Sequence, residues 1–465
     1  MGIFDALNTS VGGLQAQSYA LQNISGNIAN AQTTGFKSVG TSFVDLLADS
    51  SSPSRQVSGG VTAYARATIS TQGTITATTV ATNIAINGDG FFSVQKQTGK
   101  TDNQPTFSGN TNYTRRGDFQ INADGNLVNG SGYFLLGVPV DPKTGNPLGS
   151  VPQVLQFKNN FVAAQKTTSI SYAANLPTTP VTTASATASA GTIAKAGGLN
   201  KTDFTTDPTV GGSGTVSADD SATFQAQTIS GGAITGYDAT GAPVNLQLRW
   251  AKTDSTVLGT GHADTWNLFY QSNANATGTN TAWTNAGTDF KFDTAGKLTS
   301  PTTAAITLSN VTVGTASLGS VAFNFGSGGL TQYSSTGGTA TVNSISQTGY
   351  AAGQLQSIAI SNSGLVVGTF SNGQNINLAS VTLSRFNGTN YLQSLDGGAY
   401  AATELSGSAI LGSSGRISGS SLENSNADIA DEFTKLIVTQ QAYSANTKVI
   451  TTANTMVQDL LNVLR

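Results

Sequence analysis

The sequence predicts a mainly β protein with α-helical termini, organised as a discontinuous multidomain chain. Coiled-coil-like helices stand at the N- and C-termini, with β-rich middle and outer domains between them. Three observations predict this. Apolar residues recur at alternating three- and four-residue intervals at both ends of the 465-residue chain. Between the ends, short runs of β-branched and aromatic residues are cut by Gly, Asn and Asp turns. Charged residues make up only 10% of the chain, against roughly 25% in an average soluble domain, while Gly alone contributes 54.

The N-terminal stripe runs through Phe4, Leu7, Val11, Leu14, Ser18, Leu21, Ser25 and Ile28. That is a heptad pattern sustained over more than three repeats, and it predicts a helix roughly 36 Å long. Gly12 and Gly13 interrupt it, each costing about 1 kcal/mol relative to Ala. In isolation such a helix is marginal in water.

Residues 31–70 show no clear period and read as an extended connector. A β-rich middle domain is expected from 71–144 together with 361–424, and a β-rich outer domain, as one or two subdomains, from 145–360. Ile84-Ala85-Ile86 and Phe91-Phe92-Ser93-Val94 read as strands around the turn Asn87-Gly88-Asp89-Gly90. Phe119-Gln120-Ile121 and Leu127-Val128 flank Asn122-Ala123-Asp124-Gly125 in the same way.

The C-terminal stripe is longer: Ile429, Phe433, Leu436, Gln440, Tyr443, Thr447, Ile450, Asn454, Val457, Leu461 and Leu464. Ser425 and Asp428 have capping-box spacing, with Asp in place of the preferred Glu. Asp428, Asp431 and Glu432 fall in the first turns, where the helix dipole favours negative charge. Residues 1–30 and 425–465 thus form a terminal helical core domain. Its stripes close either on each other or on further subunits, and the polar interruptions suit helices that order on assembly.

Composition excludes several functions. Lys and Arg are scattered without a basic patch, which argues against nucleic acid. The absence of Cys excludes disulfides, thiolate metal sites and a Cys nucleophile. No apolar run of about 18 residues occurs, so no membrane insertion is expected. The opening Met1-Gly2-Ile3-Phe4-Asp5 lacks the basic and apolar regions of a secretory signal. Asn122-Ala123-Asp124-Gly125-Asn126 resembles a calcium loop only superficially, because Leu127 stands where Gly is required and no Glu closes it. His262 is the single histidine and reads as a solvated loop residue. Arg115 and Arg116 read as surface residues forming pairs, between subunits or within one. Asp89 reads as a turn residue, and the dispersed carboxylates define no glycosidase pair. No catalytic residue, metal site or cofactor is therefore expected.

Several motifs together resemble one family. Asn27-Ile28-Ala29-Asn30-Ala31-Gln32-Thr33-Thr34-Gly35-Phe36-Lys37 resembles the N-terminal signature of flagellar rod and hook proteins. Ser421-Leu422-Glu423-Asn424-Ser425-Asn426-Ala427-Asp428-Ile429 is similar to their second signature, and Gln440-Gln441-Ala442-Tyr443-Ser444-Ala445-Asn446 to their C-terminal helix. Ile86-Asn87-Gly88-Asp89-Gly90-Phe91-Phe92 and Tyr113-Thr114-Arg115-Arg116-Gly117-Asp118-Phe119 resemble strand motifs of the adjoining domain. The match covers roughly the first 140 and last 110 residues. Phe386-Asn387-Gly388-Thr389-Asn390 lacks the Asn-Pro that the family would place there.

The resemblance implies a structural subunit that polymerises into the hook, because the insertion after residue 144 resembles the hook subunit's outer domain in position. The terminal helices would then line an export channel, and the tube would act as a flexible universal joint passing torque from rod to filament. The implied partners are further copies of the chain, the rod protein, the hook cap, the hook-filament junction protein and the type III export apparatus. The implied location is the extracellular hook, reached without a cleaved signal peptide. Two other readings remain: a distal rod protein of the same family, and a secreted β-rich enzyme or carbohydrate-binding module.

Overall fold

The computed structural model describes residues 3–47, 58–102, 104–142, 144–157, 160–412 and 415–463. It is mainly β, with one long helix towards each end, Ile3–Ala29 and Ile429–Val463. The chain divides into two compact units, residues 1–160 with 355–465 and residues 161–354. The first unit is therefore assembled from both ends of the sequence.

Its β body is an antiparallel sheet whose path interleaves the two halves of the chain. The order is Gly353–Ile360, Leu365–Phe370, Asn375–Val381, Tyr133–Pro139, Phe91–Thr101, Asn112–Thr114, Ala399–Ala401 and Gln393–Leu395. Two smaller pairings repeat the stitching: Ile84–Asn87 with Arg416–Gly419, and Ile75–Ala77 with Ser421–Glu423. Ile84, Ile86, Phe92, Phe119, Leu127 and Leu135 are completely buried beneath the sheet. Such a core cannot close until residues from both halves are present.

The turns follow the local chemistry. Gln120–Ile121 pairs with Leu127–Val128, and Asn122 Oδ1 accepts the backbone N–H groups of Asp124 and Asn126 at 3.0 and 2.8 Å. This Asx geometry uses the side chain to hold the turn. At 386–390 a turn forms without proline: Gly388 precedes a short 3₁₀ segment, Thr389–Tyr391. Phe386 is buried edge-on against Phe91 and Tyr113.

The stretch read as an extended connector is different. Val39–Leu47 and Ser58–Ala67 pair antiparallel as a long two-stranded arm, in register from Val39↔Ala67 to Leu46↔Gly60. Runs of Thr, Ser, Ala and Gly, with the adjacent apolar pairs Phe43-Val44 and Leu46-Leu47, hide the strand period. Pairing satisfies backbone groups where side-chain burial gives little help.

The second unit is a β sandwich. A six-stranded sheet carries Pro243–Asp254, Thr265–Gln271 and Thr281–Phe292 at its centre. A five-stranded sheet is built around Ser169–Leu176, which pairs parallel with Ala316–Asn324 and antiparallel with Thr341–Gln347. Trp250, Trp266, Phe290 and Phe323 fill the shared core. Tyr172 is tied in by its hydroxyl, which accepts from Trp250 Nε1 at 3.0 Å and donates to Gly231 O at 2.9 Å. A smaller core around Phe224, Phe269 and Trp283 lies in the same unit. His262 is half exposed and pairs with Asp254 at 2.7 Å. Among the described residues no three His, Cys, Asp or Glu side chains gather as a metal site.

Candidate assembly site

The two terminal helices pack against each other, and their most deeply buried positions are not those of the heptad stripes. On the N-terminal helix the buried residues are Ser10, Gly13, Ala16, Ala20, Ile24 and Asn27. Leu7, Leu14, Leu21 and Ile28 are only half buried, and Val11 is exposed. Small residues allow close approach of the helix axes. A Cβ on Gly13 would stand 2.9 Å from Asn446 Nδ2 of the opposite helix.

The C-terminal helix buries Glu432, Thr439 and Ala453, and half-buries Leu436, Ile450 and Val457. Ile429, Phe433, Tyr443 and Leu461 remain exposed, joined by Ile437, Val438, Val449 and Met456. The side chain of Phe4 and all of Leu464 lie outside the described residues. The helices expected to order on assembly are thus formed and paired in the single chain. Their seam of small and polar residues leaves much of the apolar surface outward.

The signature motifs meet at a buried ionic clasp. Glu423 is fully buried and faces two cations: Lys37 Nζ on Oε1 and Arg115 Nη1 on Oε2 at 3.2 Å. Gly73 N–H also donates to Oε1, at 2.9 Å. Lys37 gives a second bond to Thr71 O at 2.6 Å. Arg115 Nη2 donates to Gly88 O at 2.8 Å, and its guanidinium stands 5.3 Å from the Phe91 ring centre. Burial pulls the Lys37 amine below its ordinary range, while the attraction of Glu423 opposes the shift. Arg115 is therefore an internal tie and not a surface residue: the carboxylate and backbone carbonyls hold its two terminal nitrogens, while its Nε is buried without a hydrogen-bond partner among the described residues. Arg116 is half buried and makes two bonds of 2.8 Å to Asp118 of the same chain.

The neighbouring signature residues extend the junction. Asn27 is buried: its Nδ2 donates to Glu432 Oε2 at 3.1 Å and to Val39 O at 3.0 Å, while its Oδ1 accepts from Val39 N–H at 2.8 Å. It therefore joins the N-terminal helix, the arm and the C-terminal helix. Asn426 Oδ1 accepts from Ser38 N–H at 2.7 Å, and its Nδ2 donates to Thr68 Oγ1 at 3.1 Å. Asn426 N–H donates to Phe36 O at 3.2 Å, and Asn30 Oδ1 accepts the Thr33 hydroxyl at 3.1 Å. Thr34 and Phe36 are half buried in the turn between helix and arm.

Gly35 has φ +68° and donates its N–H to Glu423 O at 2.7 Å. A Cβ there would approach Arg116 N to 2.8 Å. Gly35→Ala is expected to cost about 2–3 kcal/mol, from left-handed strain and displaced backbone, read as a lower urea midpoint.

The expected capping box is replaced by a simpler cap. Asp428 Oδ1 accepts from the N–H groups of Ala430 and Asp431 at 2.8 and 3.3 Å. Ser425 Oγ accepts from Ala427 N–H at 3.1 Å, holding the turn before the helix. Asp428→Ala should cost about 1 kcal/mol of local stability, seen as faster hydrogen exchange in the first turn of the helix.

Sequence reasoning missed the clasp, although a signal was present. Lys37 is the single charged residue between positions 27 and 44, and Glu423 the single one between 417 and 427. In so lightly charged a chain, isolated opposite charges in two separated motifs are natural candidates for a buried pair.

Comparison with known proteins covers the same regions. Residues 7–37 match the family described as flagella basal body rod protein. Residues 85–218 match the flagellar hook protein FlgE/F/G D1 domain, and 198–350 the flagellar basal body protein FlaE D2 domain. Residues 418–463 match the flagellar basal body rod FlgEFG protein C-terminal family. The flagellar hook protein FlgE of Salmonella typhimurium is 30% identical over 468 residues, covering 98% of this chain and 100% of its own. That of Brucella suis is 29% identical over 472 residues, with both chains covered completely. The solved structure of Helicobacter pylori flagellar hook protein FlgE2 aligns with 74% of this chain and 98% of its own, at 16% identity and a TM-score of 0.46. With near-complete coverage of both chains at 30% identity, the chain belongs to the flagellar hook protein family.

Proposed function

We propose that this hook subunit builds its tube by lining an export channel with the paired terminal helices. The observation carrying this reading is the exposed apolar surface of the C-terminal helix, including Ile429, Phe433, Ile437 and Leu461, on a chain otherwise poor in charge. Such a surface is costly in water and is removed by contact with further copies. The Thr-, Ser- and Gly-rich β units suit the bending of a universal joint. Their polar contacts exchange for water-mediated ones at small cost as subunits shift.

In this reading the rod protein meets the base of the tube, and the cap and the hook-filament junction protein meet its growing end. The chain arrives through the type III export apparatus, and its role in the tube is structural. Electron microscopy of cells lacking the chain tests the assignment. Basal bodies should end at the rod, with neither hook nor filament, and hooks should return when the chain is resupplied. A normal curved hook in its absence would overturn the reading. Rods that stop short of their full length would instead favour the distal-rod alternative.

A further inference from the structure

We infer that Asn387 is a site of spontaneous covalent modification, where the side-chain amide is lost as ammonia and water converts the residue to aspartate or isoaspartate. This modification is independent of the hook reading and goes beyond it. An Asn-Gly pair is the dipeptide most open to such a reaction, because glycine has no side chain to hinder the approach of its backbone nitrogen to the asparagine side chain. The chain contains four of them: Asn87-Gly88, Asn129-Gly130, Asn372-Gly373 and Asn387-Gly388.

The fold restrains three of the four. Asn129 is buried, and its Oδ1 accepts the N–H groups of Ser131 and Tyr133 at 3.1 and 3.0 Å. Asn372 Oδ1 accepts from Gln374 N–H at 3.0 Å, while Gly373 N–H donates to Phe370 O at 2.9 Å. Asn87 is exposed, but it pairs with Arg416 at the end of a strand. Gly88 is fixed on both sides: its N–H donates to Gln72 Oε1 at 3.1 Å, and its O accepts from Arg115 Nη2 at 2.8 Å. Asn387 is exposed in the turn between Leu383–Arg385 and Thr389–Tyr391. Its side chain makes no hydrogen bond among the described residues. Gly388 N–H donates to Ser406 O at 3.2 Å, the long end of the normal range, so little is lost when that bond opens. A Cβ on Gly388 would stand 2.5 Å from Leu405 O. The turn therefore requires the very residue that makes the pair reactive.

The reaction balances with water alone. Hydroxide removes the Gly388 amide proton, and the nitrogen attacks Asn387 Cγ. The Cγ–Nδ2 bond breaks, and Nδ2 leaves as ammonia after taking a proton from water, which regenerates hydroxide. Water then opens the five-membered cyclic imide. Breaking the bond from nitrogen to Cγ gives aspartate. Breaking the bond from nitrogen to the main-chain carbonyl carbon gives isoaspartate, whose backbone runs through Cβ. Residue 387 follows Phe386, which is buried with its ring 4.7 Å from that of Tyr113. An added backbone atom and a new charge at this point displace Phe386 from a closely packed aromatic cluster. No enzyme is needed, so converted chains accumulate with time.

The test incubates the full-length monomer in mildly alkaline buffer made with heavy-oxygen water. Samples are digested at acid pH, and the four Asn-Gly peptides are followed by mass spectrometry. Position 387 should convert about tenfold or more faster than 87, 129 and 372, which must first give up hydrogen bonds or strand pairing. The product should carry heavy oxygen, include isoaspartate and form faster as pH rises. In concentrated urea the four sites should react at similar rates, because the fold makes the difference. Asn387→Gln, which would have to close a larger ring, should stay unmodified at that position. It should also keep its urea midpoint over an incubation in which that of the unaltered chain falls. Equal rates at the four sites of the folded chain, earlier conversion at 87, 129 or 372, or no conversion at 387 would overturn the assignment.

Discussion

Glu423→Gln should lower the stability of the first unit by about 3–5 kcal/mol, the usual cost of removing one partner from a buried ion pair. Glu423 is the single carboxylate between two buried cations, Lys37 and Arg115. Its loss leaves like charges facing each other in a dry environment, and glutamine neutralises neither. Urea denaturation of the variant, followed by the fluorescence of its buried tyrosines, gives the loss directly. Lys37→Met in the same chain should restore part of it, because one of the stranded charges is replaced by an apolar side chain of similar length. A double-mutant cycle that shows simple additivity would contradict the clasp.

The pH dependence has a definite sign. In the folded chain the Lys37 amine is held below its ordinary value of 10.5 by burial. Between the folded and unfolded pKa values the unfolded chain binds more protons, so stability rises with pH across that interval. Removing Glu423 takes away the attraction that opposed the shift, and the interval extends further down. The urea midpoint of Glu423→Gln should therefore climb between pH 7 and pH 10 more steeply than that of the unaltered chain. Lys37→Met should abolish the extra slope.

The clasp also shows where sequence patterns inform and where they stop. Both terminal helices were legible from their apolar period, and the strands and Asx turns from local residue preferences. The arm was not, because Thr, Ser, Ala and Gly fill strand positions that burial would otherwise mark with large apolar residues. The stripes were legible as apolar faces, yet their partners were not. Periodicity identifies a face and says nothing about which surface covers it. Within one chain the helix seam is built on Gly13, Ala16 and Ala20, whose small side chains carry little hydropathic signal. The burial of Arg115 was hidden for a related reason. A buried cation requires a carboxylate from a remote strand, here Glu423, 308 positions away.

Phe433→Asp and Leu436→Asp separate assembly from folding. Phe433 is half exposed, so aspartate there should leave the monomer's urea midpoint and helix content nearly unchanged. In the polymer, covering the exposed half of Phe433 is worth about 0.8–1.5 kcal/mol of apolar burial per copy, which the variant loses. By the usual conversion that raises the critical concentration about 4- to 12-fold, and the cost of desolvating the new carboxylate adds to it. Sedimentation of polymer from monomer measures the change. Leu436 is half buried on the inner side of the helix, one turn beyond the buried Glu432. Aspartate at that position repels Glu432, which accepts from both Asn27 and Lys435. Leu436→Asp should therefore loosen the terminal helices in the monomer as well as block assembly, while the β units stay folded. Val457→Asp, half buried further along the same helix, should behave like Leu436→Asp with a smaller effect on the monomer, because no buried carboxylate lies one turn before it. Polymers of normal length at normal concentration from Phe433→Asp would remove the exposed face of the C-terminal helix from the assembly surface. An unaltered monomer in Leu436→Asp would show that the Asn27–Glu432 junction does not hold the helices together.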